Sequence, residues 1–189
     1  PADHVIRDHQ GFCSTIRKAV KIAEQGNFVT IGIAPTYAAE TFGYLHKGGA
    51  LEGGACQLKR FVEKPRRKEA EQYLDSGEYC WNAGMFVWPA AALLSELERH
   101  LPEHAAMARS LGAAYGSPDW RDLAQRAFEP LEKISIDFGL MEKLEKIAMV
   151  EADFDWNDVG GWLALLDLLH PDEEGNTCRG PSVTRDARG

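Results

Sequence analysis

Residues 12–33 read FCSTIRKAVKIAEQGNFVTIGI, and the fold is decided there. Phe12, Ile16, Ala19, Val20 and Ala23 recur at spacings of three and four, the apolar stripe of an amphipathic helix. Gly26 stops that helix. Phe28 to Ile33 then form a short, β-rich apolar run, as expected of a buried strand that follows its crossover helix. The stretch is half of a βαβ unit.

The same alternation continues downstream. Residues 40–55 are rich in glycine around Tyr44-Leu45-His46, which suits a hairpin or flexible excursion better than a packed layer. Residues 59–65 read as a strand closed by Pro65, 68–74 as a helix broken by Ser76-Gly77, and 79–88 as an aromatic, β-rich segment. Helical periodicity marks 90–100, 102–111, 118–128 and 136–146, and Ser117-Pro118-Asp119 opens the third of these with Pro at the first position. Strands are expected at 147–150 and, more weakly, at 154–156, followed by Gly160-Gly161 and an apolar helix over 162–169. Strands alternating with helices predict an α/β layered domain with a largely parallel sheet, the long helical stretch 90–146 forming an insertion or side layer.

Composition bounds the function. At 189 residues, with 44% hydrophobic and 26% charged residues, the chain has the makeup of one globular domain or part of a larger one, not of a collagen, a coiled coil or a disordered polymer. The 21 Lys plus Arg against 29 Asp plus Glu leave a net charge of -8, which opposes broad binding to a nucleic acid backbone but permits a local basic pocket for one small anion. No run approaches about 18 apolar residues, and no basic-then-apolar opening is visible, so neither a membrane partner nor an export signal is expected and the location expected is cytoplasmic. Cys13, Cys56, Cys80 and Cys178 are far apart and read as free thiols. His100 and His104 form an i,i+4 pair, but no third ligand is near and Pro102 interrupts the turn, so a metal role there is the weaker reading.

Four places could carry chemistry. Asp3 precedes the first helix, at a strand-to-helix turn of the kind that forms the ligand edge of α/β sheets, and Asp158 lies in Trp156-Asn157-Asp158-Val159-Gly160-Gly161, a Gly-rich turn before a helix. Either could be a simple helix cap. Converging, they would make a hard oxygen site suited to Mg²⁺. Glu63 and Lys64 sit side by side at a strand end; neighbours on a strand face opposite ways, so they are expected to serve different groups, or else to be two solvated charges. A Glu on a pocket wall accepts from sugar hydroxyls, and a Lys is a compact charge for phosphate. Asn82 can both donate and accept, and Gly84 would let a ligand approach the backbone closely, the alternative being an ordinary turn.

Taken in order, these segments resemble the sugar-phosphate nucleotidyltransferases, and within them the mannose-1-phosphate guanylyltransferases. Pro1-Ala2-Asp3-His4-Val5-Ile6 is similar to the family's acid-bearing turn; Thr30-Ile31-Gly32-Ile33-Ala34-Pro35-Thr36 with Glu40-Thr41-Phe42-Gly43-Tyr44-Leu45, then Phe61-Val62-Glu63-Lys64-Pro65, follow its next motifs. Tyr79 to Phe86, Ser135-Ile136-Asp137-Phe138 with Met141-Glu142-Lys143, and Trp156 to Trp162 complete a collinear match over almost the whole chain. The resemblance implies a Rossmann-like, GT-A-like nucleotidyltransferase fold with a mostly parallel mixed sheet. It also implies an enzyme in which mannose 1-phosphate attacks the α-phosphate of GTP, giving GDP-mannose and pyrophosphate with Mg²⁺ as cofactor. On that model Asp3 and Asp158 hold the metal and, with Lys64, form the catalytic set. Glu63 and Asn82 bind mannose hydroxyls, Lys64 meets the sugar phosphate, and the backbone around Gly43 lines the sugar pocket. Asp137 is a weaker candidate, since the match there could reflect packing of the helix it begins.

The departures define the rivals. The family's Gly-rich nucleotide loop precedes the metal-binding acid, so this chain is expected to be a fragment lacking most of the triphosphate site and the first sheet strands, with 1–170 a partial nucleotidyltransferase domain and 171–189 a linker or the start of a C-terminal domain. Ala83, Asn157 and Gly161 stand where Ser is expected, which loosens the sugar-level assignment. A relative using another hexose 1-phosphate and a non-catalytic sugar-nucleotide-binding subunit both stay open, as does a homo-oligomer.

Overall fold

The computed structural model describes residues 3–161, 164, 168–169, 171–177 and 180–187. Helix α1, His9–Ala23, starts three residues earlier than its apolar stripe because Asp8 caps it, its carboxylate accepting from the Gly11 amide at 2.9 Å. Thr15, Ala19, Ile22 and Ala23 form its buried face, and Gly26, at φ 88°, turns the chain out of it. Strand β1, Phe28–Ile33, is buried at every position, as the continuous apolar run predicts.

The glycine-rich stretch supplies β2, Tyr44–Leu51, and the turn of a hairpin whose return strand β3, Ala55–Val62, begins and ends earlier than the strand expected over 59–65. Its turn needs Gly53 and Gly54, which hold φ values of 81° and 79° that other residues rarely adopt. Helix α2, Arg67–Ser76, leads to β4, Tyr79–Val87. Then come α3, Ala90–His100, α4, Pro102–Ala113, and α5, Trp120–Phe128, a side layer in which α3 and α5 bury no residue fully. A short α6, Ile136–Gly139, and a 3-10 turn over Met141–Lys143 precede β5, Ile147–Glu151.

The strands close into a ring in the order β1-β4-β2-β3-β5. The largely parallel sheet expected from the alternation is corrected here: only β1 and β5 run parallel, and the other four pairings are antiparallel. A three-residue connection between β2 and β3 permits only antiparallel pairing, and β4 runs against both β2 and β1; the parallel pair arises where the long helical excursion carries the chain back beside β1. The α/β class stands. The helix expected over 136–146 is also shorter, because Leu140 leaves helical geometry at φ -132° and ψ -59° to bury its side chain with Met141. Residues 154–156 make no strand, and the apolar helix expected over 162–169 lies mostly outside the described residues, as does Cys178. Cys13, Cys56 and Cys80 are free thiols. His100 and His104 fall on separate helices, His100 beside Glu96 at 3.4 Å and His104 bonded to the Glu132 carbonyl at 3.1 Å, and no group of three or more metal-ligating side chains occurs among the described residues.

Residues 3–8 are clipped along residues 155–158. Val5 and Asn157 exchange both backbone hydrogen bonds, at 2.8 and 3.1 Å, and the Asp155 carboxylate accepts from the amides of Arg7 and Asp8 at 3.1 and 3.0 Å. Asp155→Ala removes the acceptor of both amides. It is expected to lower the urea midpoint by the equivalent of about 1 kcal/mol and to speed hydrogen exchange at Arg7 and Asp8; unchanged midpoint and exchange would show the segment to be held without it.

Candidate functional site

The register of three strands builds one wall of a cleft. Tyr44 pairs with Val62 on one side and Trp81 on the other, so the next residue outward on each strand places Gly43, Glu63 and Asn82 in a row. The Asn82 amide donates to the Gly43 carbonyl at 2.7 Å. A Cβ on residue 43 would lie 2.5 Å from Glu63 Oε2 and 3.3 Å from Asn82 Cβ, so only glycine lets these side chains approach. The opposite wall is the clip: Asp3 stands two residues before the Val5 bridge and Asp158 one residue after Asn157. Between the walls lies a cleft of ≈ 180 Å³ lined by Asp3, Gly43, Glu63, Lys64, Asn82, Gly84 and Asp158, by the weaker candidate Asp137, and by His4 and Thr41.

Two readings change on contact with the geometry. Asp3 does not cap α1, since Asp8 does. Glu63 and Lys64 do pair, Nζ to Oε1 at 3.4 Å, contrary to strand alternation. The strand ends at Val62, and Lys64 takes a left-handed φ of 46°, which swings its side chain to the Glu63 side. Val159, beside Asp158, is left-handed too, at φ 41°, and for a β-branched residue such a conformation costs on the order of 1–3 kcal/mol. Strain of this kind concentrates at sites where the backbone must aim a side chain.

Asn82 is committed by its partners. Its Oδ1 accepts from Thr30 Oγ1 at 3.0 Å and from the Gly84 amide at 3.1 Å, and its Nδ2 donates to Asp137 Oδ1 at 3.4 Å. That fixes the amide orientation and leaves one N–H for a ligand. Burial, seconded by the nearby Asp137 carboxylate, pushes the Glu63 carboxyl above its ordinary value, with Lys64 opposing; the Glu63 side chain is only 10% exposed. Burial holds His4 below its usual value. Its Nδ1 accepts from the Trp156 indole at 3.2 Å, and the rings meet edge to face at 5.3 Å. His4 and Asp137 are the lining residues that the sequence pointed to least. Each is defined by a partner far along the chain, Trp156 for His4 and Asn82 for Asp137, and no local pattern announces either pairing.

Asp3 and Asp158 are hard oxygen donors on one cleft, and neither forms an ion pair among the described residues. Two carboxylates with the remaining positions open suit Mg²⁺, which keeps waters and substrate phosphates in its shell.

A sequence profile described as Nucleotidyl transferase matches residues 1–175, and the chain belongs to that family. It is 36% identical, over 99% of its length, to "Mannose-1-phosphate guanylyltransferase 2" of Escherichia coli O157:H7, and 40% identical, over its full length, to "Xanthan biosynthesis protein XanB" of Xanthomonas campestris pv. campestris. The chain spans 40% of the length of each. Among solved structures it is similar to a Thermus thermophilus protein described as mannose-1-phosphate geranyltransferase, at 34% identity and a TM-score of 0.78, covering 92% of this chain and 49% of that one.

The raised Glu63 carboxyl has a consequence for stability. A folded carboxyl that holds its proton more tightly than the unfolded one loses stability as pH rises from about 4.3, the unfolded value, through the folded value. Glu63→Gln in the ligand-free chain is therefore expected to raise Tm relative to wild type more at pH 7 than at pH 4. An equal difference at both would show the Glu63 ionisation to be unopposed by the fold.

Proposed function

We propose that this chain carries the sugar-phosphate and metal half of a mannose-1-phosphate guanylyltransferase, with residues 1–170 in the nucleotidyltransferase domain and 171–189 leading out of it. What supports the reading is the convergence of Asp3, Asp158, Glu63, Lys64 and Asn82 on one cleft, in a family whose similar members include a protein named for that activity. In the reaction a phosphate oxygen of mannose 1-phosphate attacks the α-phosphorus of GTP, a new P–O bond forms, and the bond to the β-phosphate breaks to release pyrophosphate. GDP-mannose is the product, and no nucleophile is required of the protein.

The chain's own groups position and neutralise. Lys64, 60% exposed in the cleft, receives the sugar phosphate as a point charge. Glu63 and the free Asn82 N–H take the mannose hydroxyls, while the close backbones at Gly43 and Gly84 shape the floor. Asp3 and Asp158 would hold Mg²⁺, whose chemistry there is to offset phosphate charge. The free thiols Cys13, Cys56 and Cys80 fit a reducing compartment, and we place the protein in the cytoplasm. No helix among the described residues is long and apolar enough to cross a membrane.

Calorimetric titration with GDP-mannose in Mg²⁺, beside GDP-glucose, tests the reading. Wild type is expected to prefer GDP-mannose, and Asp158→Asn to weaken binding at least tenfold, about 1.4 kcal/mol. Equal binding by Asp158→Asn would remove Asp158 from the metal site, and equal affinity for both sugars would remove mannose as the substrate.

A further inference from the structure

We propose that His4 donates its Nε2–H to a phosphate oxygen of the ligand bound between Asp3 and Asp158, and that Trp156 is the positioning residue that makes this donation the only one open to it. The inference rests on the reading of the cleft as a sugar-phosphate site.

The indole of Trp156 can only donate a hydrogen bond, and it ends on His4 Nδ1 at 3.2 Å. Nδ1 therefore carries a lone pair. A neutral imidazole with its lone pair at Nδ1 carries its hydrogen at Nε2, so the hydrogen bond to Trp156 selects the tautomer. The ring is also held mechanically. It lies edge to face against Trp156, with planes 85° apart, and the next residue, Val5, is fixed in both directions by its backbone bonds to Asn157. His4 lines the cleft with Asp3 and Asp158, and Nε2 has no hydrogen-bond partner among the described residues.

The tautomer decides what kind of ligand His4 serves. An imidazole nitrogen that offered its lone pair to the cleft would be a metal ligand beside the two carboxylates. One that offers N–H cannot coordinate a cation and must meet an acceptor. Sugar hydroxyls are provided for at Glu63 and Asn82, on the other wall. The acceptor that belongs between Asp3 and Asp158 is an anionic oxygen drawn in by the cation they would hold, and a hydrogen bond to such an oxygen is among the stronger kinds. Trp156 thereby turns a residue next to a metal-binding acid from a competing ligand into a phosphate donor.

Nitrogen-15 NMR of the imidazole and calorimetry test this together. In the ligand-free chain His4 is expected to show protonated Nε2 and unprotonated Nδ1, with the Nε2–H signal moving on addition of mannose 1-phosphate or GDP-mannose in Mg²⁺. His4→Asn keeps an acceptor near Nδ1 but loses the outer donor, and is expected to weaken both phosphate ligands about tenfold while leaving binding of plain mannose unchanged. His4→Gln, whose amide N–H reaches the Nε2 position, is expected to recover most of that loss. Trp156→Phe is expected to abolish the single-tautomer pattern. A hydrogen on Nδ1 in the free chain, or undiminished phosphate binding by His4→Asn beside a wild type that binds, overturns the inference alone. A wild type that binds neither phosphate ligand overturns the sugar-phosphate reading and the inference with it.

Discussion

The antiparallel clip between residues 3–8 and 155–158 is the contact on which the rest of the site depends. Its two halves lie about 150 residues apart in the chain, and it delivers Asp3, His4 and Asp158 to one place. The two walls of the cleft are held by different forces. Asn82 stands on β4, and Gly43 and Glu63 directly adjoin the ends of β2 and β3, strands whose inner faces are packed in the core, where Tyr44, Leu45 and Cys80 are fully buried, and such burial is worth several kcal/mol per large side chain when disrupted. The clip rests on partly exposed hydrogen bonds, each worth on the order of 0.5–1.5 kcal/mol. One wall is therefore set with the core, and the other depends on a few polar contacts and on the aromatic fit of His4 against Trp156.

Charge makes the same division meaningful for ligand binding. Asp3, Glu63, Asp137 and Asp158 line the cleft, against the ammonium of Lys64, the one Lys or Arg side chain lining it among the described residues. An anionic phosphate would meet net repulsion there without a counter-cation, which is the physical reason for proposing Mg²⁺ at the clip. The fold softens the repulsion in its own way. Glu63 is pushed toward its neutral form by burial and by Asp137, while Lys64 is turned to its side by a left-handed backbone. On the proposed reading Glu63 and Asn82 take the sugar hydroxyls and Lys64 beside them meets the phosphate, while the clip supplies His4 and the two metal-binding carboxylates, so the phosphate is met from both walls.

Much of the fold was legible because it is local. The stripe of α1 and the apolar run of β1 follow from neighbouring residues and formed where the pattern put them, whereas the hairpin expected within 40–55 extends to Val62 and packs β2 into the barrel between β3 and β4. The proportion of parallel strands was not legible, since it depends on which strand ends meet after the long helical excursion, and nothing in the local alternation records that. The break at Leu140 was hidden because burial of Leu140 and Met141 overrides a helical period. In the site, residue types suggested Asp3, Asp158, Glu63, Lys64, Asn82 and Gly84, and the resemblance gave the first five of these and Gly43 their roles. The Glu63–Lys64 pair escaped because the strand rule fails one residue past a strand end, and His4 escaped because its meaning lies in a ring 152 residues away.

The most direct test of the clip as the metal-binding wall is paramagnetic. Mn²⁺ in place of Mg²⁺, with GDP-mannose present, should broaden the backbone signals of Asp3 to Val5 and of Asn157 to Gly160 together, at the same metal concentration. Broadening of only one of these segments, or of neither while another acidic turn such as that at Asp172 is affected, would contradict the convergence of Asp3 and Asp158 on one ion.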